Sequence, residues 1–147
     1  MLKHGDITHR IIGAFFDVYR ELGSGFLEKL YQHALVARLQ ELAVPVCAEV
    51  SYQVHYHGTE LGTYLADMVV NDCVLVELKA VDSLVNHHEK QILNYLKASG
   101  LEVGLLLNFG PRPQVRRFIL DRVRDCEPPR FLRIAADRPR FWSERPE

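Results

Sequence analysis

Two charges stand where a buried strand should have none. In Val74-Leu75-Val76-Glu77-Leu78-Lys79-Ala80, Glu77 and Lys79 interrupt an apolar run two residues apart. In extended chain they share one face, with Cα atoms about 6.5–7 Å apart. Charge within a core strand is costly unless it is paired or binds an ion. The preceding strand, Tyr64-Leu65-Ala66-Asp67-Met68-Val69-Val70, has a matching interruption at Asp67. A connection of odd length, such as Asn71-Asp72-Cys73, sets Asp67 across from Glu77 on the same face, whereas a two-residue turn separates them. The pairing therefore requires the odd loop or a bulge. Two facing carboxylates repel unless something neutralises them, and hard oxygen ligands suit Mg²⁺ or Mn²⁺. Lys79 beside such an ion could orient or deprotonate a water, or stabilise charge on a phosphate oxygen. Carboxylates, metal and lysine together make a phosphodiester-hydrolysis kit. A plain Glu77–Lys79 or Asp67–Lys79 salt bridge at an exposed sheet edge accounts for the same spacing without chemistry.

Two helical residues bear on that choice. Glu28 falls in the first turn of a helix, where a carboxylate suits the positive end of the dipole. It shares a stripe with Tyr31 and Leu35, which points it toward the core; a simple N-terminal charge is the alternative. In a later helix, Leu84, His88, Gln91 and Tyr95 form one stripe and Val85, Ile92 and Leu96 the apolar stripe beside it. Gln91 and His88 then face the charged end of the sheet, with His88 equally readable as an interfacial histidine, while His87 points to solvent.

The elements that must hold these residues are legible from periodicity. The first helix is expected from an N-cap at Asp6 through Ile7, Ile11, Ala14, Phe15, Val18 and Leu22, stopped by Gly23-Ser24-Gly25. A second runs from about Phe26 to Leu42, with Leu27, Leu30, Tyr31, Ala34, Leu35 and Leu39 as its apolar face and Pro45 forbidding continuation. The period then shortens to that of strands over Val46 to Tyr56, Leu61 to Val70 and Val74 to Ala80, with turns at His57-Gly58 and Asn71-Asp72. Asp82 or Ser83 is expected to cap a third helix ending at Ser99 before Gly100. Leu101 to Phe109 reads as a strand covered on both faces. Val115 to Leu120 is a strand or a helix start. The order helix, helix, three strands, helix, strand predicts a mixed sheet with helices packed on it.

The 147 residues, 48% apolar and 25% charged, amount to one domain with a sizeable core. No apolar run approaches the ~18–20 residues that span a bilayer, and the N-terminus lacks a secretion-signal pattern. Cys47, Cys73 and Cys126 form neither a disulfide framework nor a CxxC pair, which predicts reduced thiols and a cytoplasmic protein. Charge is uneven: from Arg112 onward ten arginines face six acidic residues, a balance of +4 against −5 for the remainder. That end is a phosphate-binding arm or a solvated, partly ordered tail. Pro128-Pro129, Pro139 and Pro146 argue against long regular elements in it. Phe131, Leu132, Ile134, Phe141 and Trp142 argue for docking on the body or on a second subunit of a homodimer.

Assembled, these residues resemble a known family. Gly25-Phe26-Leu27-Glu28-Lys29-Leu30-Tyr31 is similar to the signature of the GxxExxY proteins, small bacterial and archaeal proteins of the PD-(D/E)xK nuclease superfamily. The likeness runs from about Ile7 to Leu120 and includes Tyr19-Arg20-Glu21-Leu22-Gly23, Tyr64-Leu65-Ala66-Asp67, Val76-Glu77-Leu78-Lys79-Ala80, His88-Glu89-Lys90-Gln91 and Tyr95-Leu96-Lys97. It implies an α/β (mixed α+β) fold with a restriction-endonuclease-like core over residues 1–120, leaving 121–147 as an Arg/Pro-rich extension. It implies Glu28, Asp67, Glu77, Lys79 and Gln91 as catalytic positions. Asp67, Glu77 and the Leu78 carbonyl would hold Mg²⁺ or Mn²⁺, with Glu28 as a further ligand. His88, Arg112, Arg116 and Arg117 are the residues expected to contact nucleic acid. The pattern departs at Leu65, where an arginine is expected before the Ala-Asp pair.

Three functions compete at this point. A Mg²⁺-dependent nuclease acting on DNA or RNA uses all five side chains. A non-catalytic nucleic-acid-binding module would bind in a salt-dependent way without metal. A structural or protein-interaction module would keep the charged cluster only as a buried network.

Overall fold

The computed structural model describes residues 3–120 and 131–133. Helix α1 (Gly5–Leu22) forms because Ile11, Ala14, Phe15 and Val18 recur at helical spacing and are buried. It is capped by the backbone of His4, in left-handed conformation (φ 52°), so Asp6 lies inside the first turn rather than at the cap. Helix α2 (Glu28–Glu41) starts two residues later than the sequence indicates and buries Tyr31, Gln32, Leu35, Val36 and Leu39. Leu27 precedes the helix in extended conformation, so Leu27 and Leu30 stay outside the core, 82% and 41% exposed.

Strands β1 (Val46–Tyr56) and β2 (Thr59–Val70) are joined by His57-Gly58, both at positive φ. Such a turn matches the twist of antiparallel strands. Strand β3 (Val74–Lys79) follows through the odd connection Asn71-Asp72-Cys73, with Asn71 and Asp72 both left-handed. These are residue types that tolerate that region. Helix α3 (Asn86–Ser99) then crosses to β4 (Val103–Phe109), which pairs parallel with β3, and β5 (Pro113–Ile119) returns antiparallel. Residues 115–119 are thus strand, and Leu120 follows it. A short β6 (Phe131–Arg133) adds to β1 over Tyr52–Val54, giving the order β5-β4-β3-β2-β1-β6. The arginine-rich end is accordingly not wholly irregular; Ile134, Phe141 and Trp142 lie outside the described residues. No helix among the described residues is long and apolar enough to cross a membrane.

The sheet is covered on both faces. Helices α1 and α2 pack on one, with Phe15, Tyr31, Leu35 and Phe109 at the centre; α3 packs on the other through Ile92 and Leu96 against Leu75 and Leu106. Every residue of β4 is buried, which explains an apolar run broken only by Asn108.

Helix α3 begins at Asn86, later than the Asp82 or Ser83 cap expected, because residues 80–85 are tied down elsewhere. The buried Asn108 side chain accepts from the Val81 N–H at 3.0 Å and donates to the Val81 carbonyl at 2.9 Å. Gln114 accepts from the Leu84 N–H at 2.9 Å. A Cβ on Gly110 would lie 1.9 Å from the Val81 oxygen, whereas one on Gly13 in α1 would meet nothing within 4 Å. Gly110→Ala is therefore expected to cost about 3 kcal/mol or more, roughly 6–12 °C in Tm. Gly13→Ala should instead stabilise by up to about 1 kcal/mol. Thermal unfolding of the two variants beside the parent checks both signs.

Candidate active site at the fork of the sheet

The site arises where two neighbouring strands stop pairing. Strand β2 pairs with β3 only over Met68↔Val76, Val69↔Leu75 and Val70↔Val74. Pairing of β1 with β2 continues out to Tyr56↔Thr59, and that of β3 with β4 out to Lys79↔Asn108. The sheet therefore parts beyond Met68 and Val76, and Asp67 and Glu77 are the first residues past the last rung. Their side chains take over the backbone donors that the ladder leaves there. The Asp67 N–H donates to Glu77 Oε1 at 3.4 Å, and the Leu78 N–H donates to Asp67 Oδ2 at 2.7 Å. The odd connection thus does what the sequence requires of it.

Glu77 is only 7% exposed. Burial, and next the adjacent Asp67 charge and a side-chain hydrogen bond to it, push its carboxyl well above the ordinary 4.5; Lys79 opposes this and does not prevail. Glu77 therefore holds its proton more tightly than a free carboxyl does. Lys79 Nζ donates to Gln91 Oε1 at 3.3 Å, which joins β3 to α3 and turns Gln91 toward the sheet; Leu84 and Val85, expected in the helical stripes, precede the helix. Tyr95, one turn further, also hydrogen-bonds Gln91; burial and the Glu77 charge hold its hydroxyl above the usual range.

Glu28 is exposed, not core-facing. It stands at the lip of a pocket of about 330 Å³ lined also by Lys29, Gln32, Glu49, Leu65, Asp67 and Leu78. What positions it is Tyr31. The Tyr31 hydroxyl donates to the Gly23 carbonyl at 2.5 Å and accepts from the Phe26 N–H at 3.2 Å. Its ring stacks on Phe109 at 4.2 Å between centroids. Gly25, at φ 109°, turns the chain between those anchors. The Gly, Glu and Tyr of the 25–31 segment are thus turn, site residue and anchor.

His88 lies in the first turn of α3, its Nδ1 accepting from the Val85 N–H at 3.2 Å. Desolvation, then the Lys79 charge, lowers its pKa, while Glu28 pulls the other way, so it belongs to the same electrostatic neighbourhood. His87 is exposed, as expected. The three arginines do not converge. Arg112 is exposed in the β4–β5 turn, and Arg116 lies 3.9 Å from Glu89 of α3. Arg117, one residue on in β5, faces oppositely: its guanidinium donates to the Lys3 carbonyl, and its Nε is buried without a partner. Alternation along a strand forces this divergence.

Three residues of the pocket escaped the sequence reading. Gln32 is 4% exposed and its Nε2 donates to the Asp67 carbonyl at 2.8 Å. Lys29 makes an ion pair with Glu49. Glu49 sits at φ 54°, between Ala48↔Met68 and Val50↔Ala66. Ala48 and Met68 pack in the α1/α2 core, whereas Val50 and Ala66 pack under α3, so the hairpin exchanges faces here. Left-handed backbone costs a non-glycine residue about 1–2 kcal/mol, and an ion pair this exposed returns about 0–1 kcal/mol. The pair alone does not recompense the strain. The signal for Glu49 was present: it is a charge inside the apolar run Val46–Val50, as Glu77 is in its own.

Among the described residues no three His, Cys, Asp or Glu side chains converge as a ready-made metal cage. The donor set nonetheless fits a hard divalent cation, since Mg²⁺ is commonly held by one or two carboxylates and completes its shell with water. Asp67 and Glu77 face each other across the fork, so a cation between them would relieve the repulsion that helps raise the Glu77 carboxyl.

A mixed sheet parted at a carboxylate pair, followed by Glu-x-Lys and a helix bearing glutamine, defines a nuclease-type core. The chain belongs to the PD-(D/E)XK nuclease superfamily, whose family model matches residues 5–118. Among solved structures, that described as "Crystal structure of SSO0001" is similar in fold, with a TM-score of 0.53 at 21% identity over 64% of this chain. The match covers 52% of that protein, so this chain spans about half its length. Among curated proteins no significant match was found.

The raised Glu77 carboxyl has a stability consequence whose sign is fixed. The folded state holds the proton more tightly than the unfolded one, so stability falls as pH rises from about 4.5 up through the folded value. Glu77→Gln mimics the protonated acid. Urea denaturation across pH without divalent ions should show the variant more stable than the parent at neutral pH, with a flatter profile. Added Mn²⁺ should raise the parent's Tm with concentration and the variant's far less.

Proposed function

We propose that this protein is a metal-dependent nuclease of the GxxExxY type, hydrolysing phosphodiester bonds in DNA or RNA. The observation that carries the reading is the facing Asp67–Glu77 carboxyl pair at the fork, with Lys79 held beside it by Gln91. Asp67, Glu77 and the Leu78 carbonyl would hold Mg²⁺ or Mn²⁺, with Glu28 at the lip as a further oxygen donor. Such an ion, when bound, supplies Lewis-acid polarisation of the phosphate and acidifies its water.

The chain's own residues do the rest. Lys79 Nζ, oriented by Gln91 Oε1, is placed to hold a water proton or to balance charge developing on a phosphate oxygen. Gln32 fixes the backbone of Asp67 and so the direction of its carboxylate. Tyr31 fixes the loop before Glu28. Glu77 would have to release its proton to solvent before it could serve as a ligand. His88 is the nucleic-acid contact best supported by position, since it shares the field of Lys79 and Glu28; Arg117 is withdrawn from that role.

A panel of single-stranded and duplex DNA and RNA, incubated with Mg²⁺ or Mn²⁺, tests the reading. The parent should cleave at least one substrate, and Lys79→Ala and Asp67→Asn should each lower the rate by about 100-fold or more. Gln91→Ala should cost less, because it acts through Lys79. Metal-independent binding with no cleavage of any substrate would make the chain a binding module instead.

A further inference from the structure

The pocket beside Asp67 presents an electrostatic contradiction for a protein that takes nucleic acid. Its lining includes the carboxylates of Glu28, Glu49 and Asp67, and Lys29 is the one cation among its lining residues. Lys29 is thus the one lining side chain that could pair with a phosphate of an approaching polyanion. In the free protein, however, Lys29 is paired with Glu49.

Neither member of the pair is where stability would put it. Lys29 is the second residue of α2, at the positive end of the helix dipole, where a cation is disfavoured. Its side chain is 59% exposed, so it is not a packing element. Glu49 keeps a left-handed backbone within strand β1, and strain of this kind persists where the surroundings impose it, typically at functional sites. The conformation falls where β1 exchanges faces, and it leaves the carboxylate lining the pocket rather than entering either core.

We infer that Lys29 is a phosphate-binding residue of this pocket and that Glu49 is its resident counter-ion, a charge latch that a backbone phosphate must displace. The inference rests on the nuclease reading and adds to it a substrate contact and an element of discrimination. A phosphodiester, which can accept from the lysine ammonium, exchanges for the Glu49 carboxylate. A neutral or cationic ligand cannot. Freed Glu49 then swings away from Lys29 while its backbone stays fixed by the β1–β2 pairing on either side.

The test uses the full chain carrying Lys79→Ala, so that bound strands stay intact, with fluorescent DNA and RNA oligonucleotides titrated in Mn²⁺ at several salt concentrations. Lys29→Met, which keeps the aliphatic stem, and Lys29→Ala should each weaken binding about three- to tenfold and lower the salt slope by about 0.7–0.9. Glu49→Gln keeps the side-chain shape and should tighten binding by a similar factor. The double variant should match the lysine variant alone, because a latch has no function without its bolt. Thermal midpoints of the variants confirm that each is folded. If Glu49→Gln leaves affinity unchanged or weakens it, or the lysine variants bind like the parent, the latch is wrong while the nuclease reading stands. If the Lys79→Ala chain binds no oligonucleotide at all, the nuclease reading fails first and this inference with it.

Discussion

The structure depends on one exchange: where β2 leaves β3, backbone hydrogen bonds give way to bonds made by carboxylates. A parted sheet exposes N–H groups that must find partners. Asp67 and Glu77 supply them, each side chain accepting from a backbone N–H of the opposite strand. This fixes both carboxylates at a stated place and brings two like charges together in a largely buried gap. The same contacts that complete the fold therefore create the demand for a proton or a cation. Structure and chemistry here have one cause.

The rest of the molecule holds that gap open at a fixed width. On one side, α2 is anchored by Tyr31, which clamps the preceding turn at Gly23 and Phe26 and stacks on Phe109 at the end of β4. Glu28 and Gln32, one turn apart, reach the gap from that anchored helix. On the other side, α3 starts only after residues 80–85 have been fastened to Asn108 and Gln114. That delay sets the helical phase that points Gln91 at Lys79. The parallel β3–β4 pair, its β4 residues buried, is the rigid floor between the two.

Much of this was legible from the sequence, for identifiable reasons. Apolar strand runs give a strong background against which Asp67, Glu77 and Lys79 stand out, and the three-residue connection sets their common face by parity. Helical stripes placed Gln91 and His88 correctly. What stayed hidden depends on tertiary constraint. Nothing local says that Val81 is held by Asn108 and Leu84 by Gln114, so the start of α3 was read too early at Asp82 or Ser83. Glu28 was placed toward the core because its stripe is apolar, but the helix begins at Glu28 itself and leaves it at the lip. Arginines 116 and 117, adjacent in sequence, were grouped by composition although a strand sends them to opposite faces. Glu49 carried the same anomaly as Glu77, and its face-switching backbone has no sequence signal in a glutamate.

The central claim is that a divalent cation binds at Asp67 and Glu77 in place of the proton that the raised Glu77 carboxyl holds. Calorimetric titration with Mn²⁺ at neutral pH, repeated in buffers of different ionisation enthalpy, counts the protons released on binding. The account expects proton release by the parent that grows as the pH is lowered from neutral, and none attributable to this site for Glu77→Gln. Binding without proton release, or no binding at millimolar Mn²⁺, would contradict it.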